Sequence, residues 1–146
     1  MIIQLQKKIH NEIPMTKLMQ VKIDEYKNNN LTTSIPLDIN INDKGTAFGG
    51  SLSTLTTISS WCMCWLISKE LGIDSKNIVV IKNETSFLLP VKKDITCYTK
   101  KPSQNDILIL KEKIDKKGSA SIKVESKIVE DENVCVEFSG IYVIKK

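Results

Sequence analysis

The stretch Asn40-Ile41-Asn42-Asp43-Lys44-Gly45-Thr46-Ala47-Phe48-Gly49-Gly50-Ser51-Leu52 decides how this chain is read. Its first part, Asn42-Asp43-Lys44-Gly45, has the composition of a β-turn, with Asn at the first position and Gly at the last. A pair of glycines then opens a long apolar segment that runs to Leu71. Leu52, Leu55, Ile58, Trp61, Cys62, Trp65 and Leu66 recur at helical spacing. They predict one helix from Ala47 or Phe48 to Leu71, with Gly72 as its terminator. The segment carries few charges and no carboxylate between Lys44 and Lys69, so this helix is expected to be buried almost all round. Its glycine-lined start leaves backbone N–H groups free at the positive end of the helix dipole. A carbonyl oxygen gaining negative charge is stabilised at such a place.

Outward from this helix, Ile2, Leu5 and Ile9 share one side of a short helix over residues 2–12, which Pro14 ends. Alternation over 17–25, the turn Asn28-Asn29-Asn30 and the β-rich run Leu31 to Leu37 predict a hairpin. After the long helix, Asn77–Leu89, Asp94–Lys100, Ile107–Asp115, Ser119–Glu130 and Val134–Ile144 have strand character, punctuated by Pro90, Pro102 and Gly118. The sum is an α+β fold in which an antiparallel sheet curls around the long central helix. A length of 146 residues fits one domain over 1–146, with no repeat, linker or low-complexity tract.

Composition removes several classes of function. Hydrophobic content of 41% and charged content of 26% are those of an ordinary globular protein. No apolar run is long enough to span a membrane, and Met1 to His10 lacks a signal-peptide centre, so a cytoplasmic location is expected. Cys62, Cys64, Cys97 and Cys135 match neither zinc nor redox spacing and read as buried free thiols. No metal or cofactor is expected. With aromatics at 5%, a stacking platform for nucleic acid is not supported, so nucleic acid is not an expected partner.

Asn42-x-x-Gly45-x-x-Phe48-Gly49-Gly50, followed by a buried helix and a strand series, resembles the hotdog thioesterase superfamily. More closely, Asn40 to Leu52 resembles the thioesterase-like domain known as the YiiD C-terminal family, over about Ile13 to Tyr142. That resemblance implies a hotdog fold and a homodimer, or a dimer of dimers, with sites at the subunit interface. It implies substrates that are acyl thioesters of coenzyme A or of acyl carrier protein. The net charge of +4 and the lysine pairs at 7–8, 92–93, 100–101, 116–117 and 145–146 fit such acidic partners, or simply solvated turns.

Many hydrolytic hotdog proteins read Asn-x-x-Gly-x-x-His-Gly-Gly, with an Asp or Glu further along the helix. Here Phe48 stands in place of the histidine and Thr57 about where the carboxylate would be. A threonine hydroxyl is no general base near neutral pH. His10 reads as a surface residue, and Ser51 has no histidine to activate it. By the resemblance, Asn42, Gly49 and Gly50 polarise a thioester carbonyl. Asp43 and, on the strand after the helix, Glu84 are the candidate bases, though for Asp43 the turn composition is the weightier explanation. Asn40, Thr46, Phe48, Ser51, Thr57 and, on the strand after the helix, Glu84 are candidate substrate-binding residues. Gly49 and Gly50 also suit close packing against a partner subunit, and Trp61 and Trp65 suit core or dimer packing rather than a tunnel gate.

A site with oxyanion donors and no base suits decarboxylation of a malonyl thioester, which leaves an enolate on the thioester oxygen. Members of the resembled family are associated with malonyl-carrier-protein decarboxylation. Hydrolysis of acyl thioesters and non-catalytic acyl-thioester binding stay as alternatives. An N-acetyltransferase is disfavoured because no pyrophosphate-binding loop is present.

Overall fold

The central helix is the frame on which the rest is assembled. The computed structural model describes residues 1–146. In chain order it contains α1 (Ile2–Glu12), α2 (Pro14–Leu18), β1 (Lys22–Lys27), β2 (Asn30–Ile35), α3 (Gly49–Glu70), β3 (Asn77–Phe87), β4 (Ile95–Lys100), α4 (Gln104–Lys117), β5 (Ser119–Glu130) and β6 (Asn133–Lys145). The strands form one six-stranded antiparallel sheet in the order β1-β2-β4-β5-β6-β3. α3 touches β2, β4, β5, β6 and β3. Those strands span about 19 Å at ~4.8 Å per step, well beyond the ~10 Å width of a helix. One helix reaches all of them because the sheet curves around it, as expected.

α3 buries Leu55, Met63, Cys64 and Leu66 completely, the leucines and the methionine each worth about 1.5–3 kcal/mol. It also buries hydroxyls, several of which pair with hydroxyls of the sheet. Ser59 Oγ meets Thr33 Oγ1 of β2 at 2.6 Å. Ser60 Oγ meets Ser126 Oγ of β5 at 2.7 Å, and Ser126 Oγ meets Thr99 Oγ1 of β4 at 2.7 Å. No buried side-chain N or O is without a partner. The small polar residues of α3 thus set its register on the sheet, since a slip would orphan groups at about 1–3 kcal/mol each.

Two expected elements differ. Ile107–Asp115 is helical, not a strand. Ser103 caps α4 by accepting from Asp106 N at 3.1 Å, and Gly118 ends it at φ +83. Ile107, Leu110 and Ile114 face the core at helical spacing while Leu108 and Ile109 are exposed. The expected strand 17–25 also starts late: Lys17 and Leu18 end a short helix and a turn follows. Pro14 both stops α1 and starts α2, where its missing N–H costs nothing, and β1 begins only at Lys22.

Candidate active site

Nothing caps the start of α3. Phe48 occupies the N-cap position with an extended backbone and offers no side-chain acceptor. Ser51 N and Leu52 N both turn back to Phe48 O, at 3.0 and 3.1 Å. The Gly49 and Gly50 amides are left with no acceptor in the protein. The Phe48 ring lies over Gly50, so close that a Cβ there would sit 2.5 Å from Cε2. Phe87 from the end of β3 stands on the other side, 3.9 Å from where a Gly49 Cβ would be. Both rings are more than half exposed, at 55% and 54%. Two free donors at a positive helix end, walled by two aromatic rings, make a mouth suited to a polarised carbonyl. Ser51 is buried beneath this first turn.

The loop before the helix is held by the two asparagines. Asn40, 2% exposed, donates both amide hydrogens inward, to Met19 O at 3.1 Å and Pro36 O at 2.8 Å. Its own carbonyl accepts from Phe48 N at 2.8 Å, so Asn40 sets where the helix begins. Ala47 N donates to Val91 O at 2.8 Å. Asn42 Oδ1 accepts from Lys44 N and Thr46 N, at 2.7 and 3.1 Å, and Asn42 Nδ2 donates to Thr46 Oγ1 at 2.8 Å. This is an Asx turn, which the turn composition anticipated.

Asp43 projects into solvent and pairs with its neighbour Lys44 at 3.0 Å. Thr57 is half-buried on α3 and donates to Ser53 O at 2.7 Å. With Ser53, Thr54 and Trp61 it lines one wall of an apolar groove of about 530 Å³, whose other wall is Ile78, Val79 and Val80 of β3. Trp61 is fixed there by its indole N–H, which donates to Ile78 O at 2.9 Å. Gly50, Thr54, Thr57 and Trp61 follow each other at helical spacing, so Gly50 shares a face of α3 with the residues that line the groove.

Glu84 does not join this face. The alternation along β3 shifts at a bulge between Val80 and Lys82. Ile78 and Val80 pair with buried Ile144 and Tyr142, whereas beyond the bulge it is Thr85 and Phe87 that pair with buried Phe138 and Val136. Glu84 therefore points to the outer face of the sheet, in a polar depression with Tyr98, Lys127 and Glu137. Counting from Ile78 without the bulge places it inside, and the single inserted residue reverses that. Asn83 shares the inner face with Thr85 and Phe87, and Thr85 Oγ1 donates to Asn83 Oδ1 at 2.9 Å.

No other base lies hidden nearby. His10 is half-buried, not a surface residue, and its Nε2 donates to Val21 O at 2.7 Å, tying α1 to the start of the sheet. The four thiols are buried and free. Burial pushes Cys62 and Cys64 far above the ordinary thiol range, and Cys97 up to about 11 despite hydrogen bonds from the hydroxyls around it. None is a thiolate near neutral pH. No cluster of His, Cys, Asp or Glu is arranged to hold a metal ion. Lys8, Lys93, Lys101 and Lys116 each pair with a nearby carboxylate. No helix is long and apolar enough to cross a membrane.

The family model described as "Putative thioesterase (yiiD_Cterm)" matches residues 2–146. A structure described as a "putative thioesterase" from Shewanella oneidensis is 29% identical, with a TM-score of 0.89 over 99% of this chain and 97% of that one. A protein of unknown function from Chlorobaculum tepidum is 30% identical, with a TM-score of 0.92 over 98% of this chain and 93% of its own. A Pseudomonas aeruginosa protein described as a "Probable Thioesterase" shares the fold at 16% identity, with a TM-score of 0.72 over 98% and 95% of the two chains.

Proposed function

The chain belongs to the YiiD C-terminal thioesterase family, of hotdog fold, and from that premise we propose that it decarboxylates a malonyl thioester to the acetyl thioester. The observation that carries this reading is the mouth of α3. Two backbone donors stand open there, and no side chain of the protein hydrogen-bonds to them. The bond from the malonyl α-carbon to its carboxylate breaks and CO2 leaves. The electron pair passes into the thioester, making an enolate whose oxygen lies on the Gly49 and Gly50 amides. The α-carbon then takes a proton from water. No base is needed, only stabilisation of the oxyanion, at roughly 2.7–4 kcal/mol per donor in comparable sites. Asn42, which organises the loop facing the mouth, supports the same step.

A second reading, hydrolysis of a longer acyl thioester, is favoured by the apolar groove of about 530 Å³ along the face of α3 that Gly50 shares. It requires water activated by a base, for which exposed Asp43 is the candidate. Either chemistry is compatible with a homodimer built on β3. This 11-residue edge strand has one side unpaired and leaves Val79, Val80 and Ile81 exposed.

The test incubates the protein with malonyl, acetyl and long-chain acyl thioesters, each on carrier protein and on coenzyme A, and follows the carrier by mass spectrometry. Malonyl converting to acetyl thioester, with kcat about 10²–10³-fold lower in Asn42→Ala, is the expected result. Release of free thiol overturns decarboxylation in favour of hydrolysis. Saturable binding with no turnover leaves a binding module.

A further inference from the structure

We propose that the side chain touching the substrate oxygen is Thr46, not Asn42, and that Asn42 is a positioning residue acting through it. This rests on the reading of the α3 mouth as a thioester site. Asn42 and Thr46 are clamped by three hydrogen bonds. Asn42 N donates to Thr46 O at 2.8 Å, Thr46 N donates to Asn42 Oδ1 at 3.1 Å, and Asn42 Nδ2 donates to Thr46 Oγ1 at 2.8 Å. The amide orientation is not free. Its oxygen must receive two backbone N–H groups, those of Lys44 and Thr46, so its nitrogen faces the hydroxyl. An amide nitrogen only donates, so the Thr46 oxygen only accepts there. The second amide hydrogen lies toward Ala47 O at 3.4 Å. Asn42 thus has no well-placed donor left for a ligand.

The Thr46 hydroxyl proton, by contrast, has no acceptor in the protein. It is the free end of a directed chain running from Asn42 N–H to Thr46 O–H to whatever lies beyond. A hydroxyl that already accepts is polarised into a better donor. Its direction follows from the backbone. Ala47 bridges Ile41 and is buried, and Phe48 is extended at φ −67, ψ 129. Thr46 and Phe48 therefore project to the same side, opposite Ala47. The Phe48 ring on that side covers Gly50. The hydroxyl accordingly joins the two glycine amides as a third donor at one mouth. Threonine has no base to deprotonate it here, which suits a donor and excludes a nucleophile.

The test uses the full chain in five forms: wild type, Thr46→Val, Thr46→Ser, Asn42→Ala and the Asn42→Ala/Thr46→Val pair. Two quantities are read: turnover of malonyl and acyl thioesters, and the infrared carbonyl stretch of bound acetyl-pantetheine labelled at the carbonyl carbon. The second needs no turnover. Thr46→Val should lower kcat by about 10²–10³-fold with KM little changed, as for loss of one oxyanion donor, and should abolish most of the downward shift of the carbonyl band. Thr46→Ser, which keeps the hydroxyl, should restore both. The pair should be no worse than the poorer single variant, because both changes break one chain. A Thr46→Val protein with wild-type kcat and band position, beside an impaired Asn42→Ala, overturns the proposal and makes Asn42 the direct donor. Should Thr46→Val fail to fold, the Ser variant and the band of Asn42→Ala decide between the same two outcomes. If wild type turns over nothing yet its band shift depends on Thr46, the donor stands and the enzyme reading falls. No shift in wild type overturns both.

Discussion

The two longest helices begin in opposite ways. At α4, Ser103 caps Asp106 N, Asp106 itself puts a negative charge in the first turn, and the chain closes the far end with Gly118 in the left-handed region. Each device satisfies a group that the helix alone leaves bare. At α3, the residue in the cap position is a phenylalanine, the first turn has no acidic residue, and two amides stay open between aromatic rings. A helix that needed only stability would be finished like α4. The unfinished end of α3 is where the proposed thioester site would place an external acceptor.

Gly50→Ala tests this difference most severely. The new methyl meets the far edge of the Phe48 ring at 2.5 Å, and that ring is exposed and free to swing. Moving it should narrow the mouth at little structural cost, while alanine in a helix is favoured over glycine by about 0.8–1 kcal/mol. Activity and stability should therefore move in opposite directions. We expect kcat/KM on thioesters to fall by about 10²-fold, with a melting temperature equal to or above that of wild type. A variant that is both fully active and more stable would mean that Gly50 serves packing and not the site.

The counterpart at α4 is Ser103→Ala. Loss of the cap should cost about 1 kcal/mol, or roughly 2–4 °C in Tm for a chain of this size, and leave turnover untouched. Thermal unfolding by circular dichroism together with the thioester assay measures both. A loss of turnover at unchanged stability would erase the distinction between the two helix starts.

How far the sequence reveals this depends on where a single residue decides a face. α3 is legible because its apolar spacing is sustained through many turns and the glycine pair marks its start. α4 is masked by Ile107-Leu108-Ile109-Leu110, four residues whose composition suits a strand as well as a helix. The decisive signals there are Ser103 with Asp106 three residues on, and the terminal Gly118. The face of the sheet that Glu84 takes is set by the bulge at Ile81, which no local composition announces. Asn42 stands in the expected loop. Its motif match cannot tell whether its amide faces a ligand or Thr46, because that depends on where the backbone N–H groups of Lys44 and Thr46 come to lie.

The other end of α3 gives the smallest effect and the sharpest sign. Glu70 is a carboxylate at a helix C-terminus, where the dipole disfavours it. It is held there by Lys101 Nζ and Tyr26 Oη, each at 2.6 Å, which tie the helix to β1 and to the segment before α4. Burial alone would raise its pKa, but the hydrogen bonds from Lys101 and Tyr26 carry it below the usual carboxylate value of 4.5. A carboxyl depressed in the folded state adds stability that is present above its unfolded pKa and is lost as pH falls through the folded one. Glu70→Gln should thus lower stability slightly at neutral pH, by less than about 1 kcal/mol for a partly exposed pair, read as a small drop in Tm. The gap to wild type should close once pH is taken well below 4.5. Melts at both pH values check this. An equal gap at both would mean that the charge contributes nothing, and a wider gap in acid would reverse the sign. The closed end of α3 then answers to pH through its ion pair, while its open end is the one the proposed reaction puts to use.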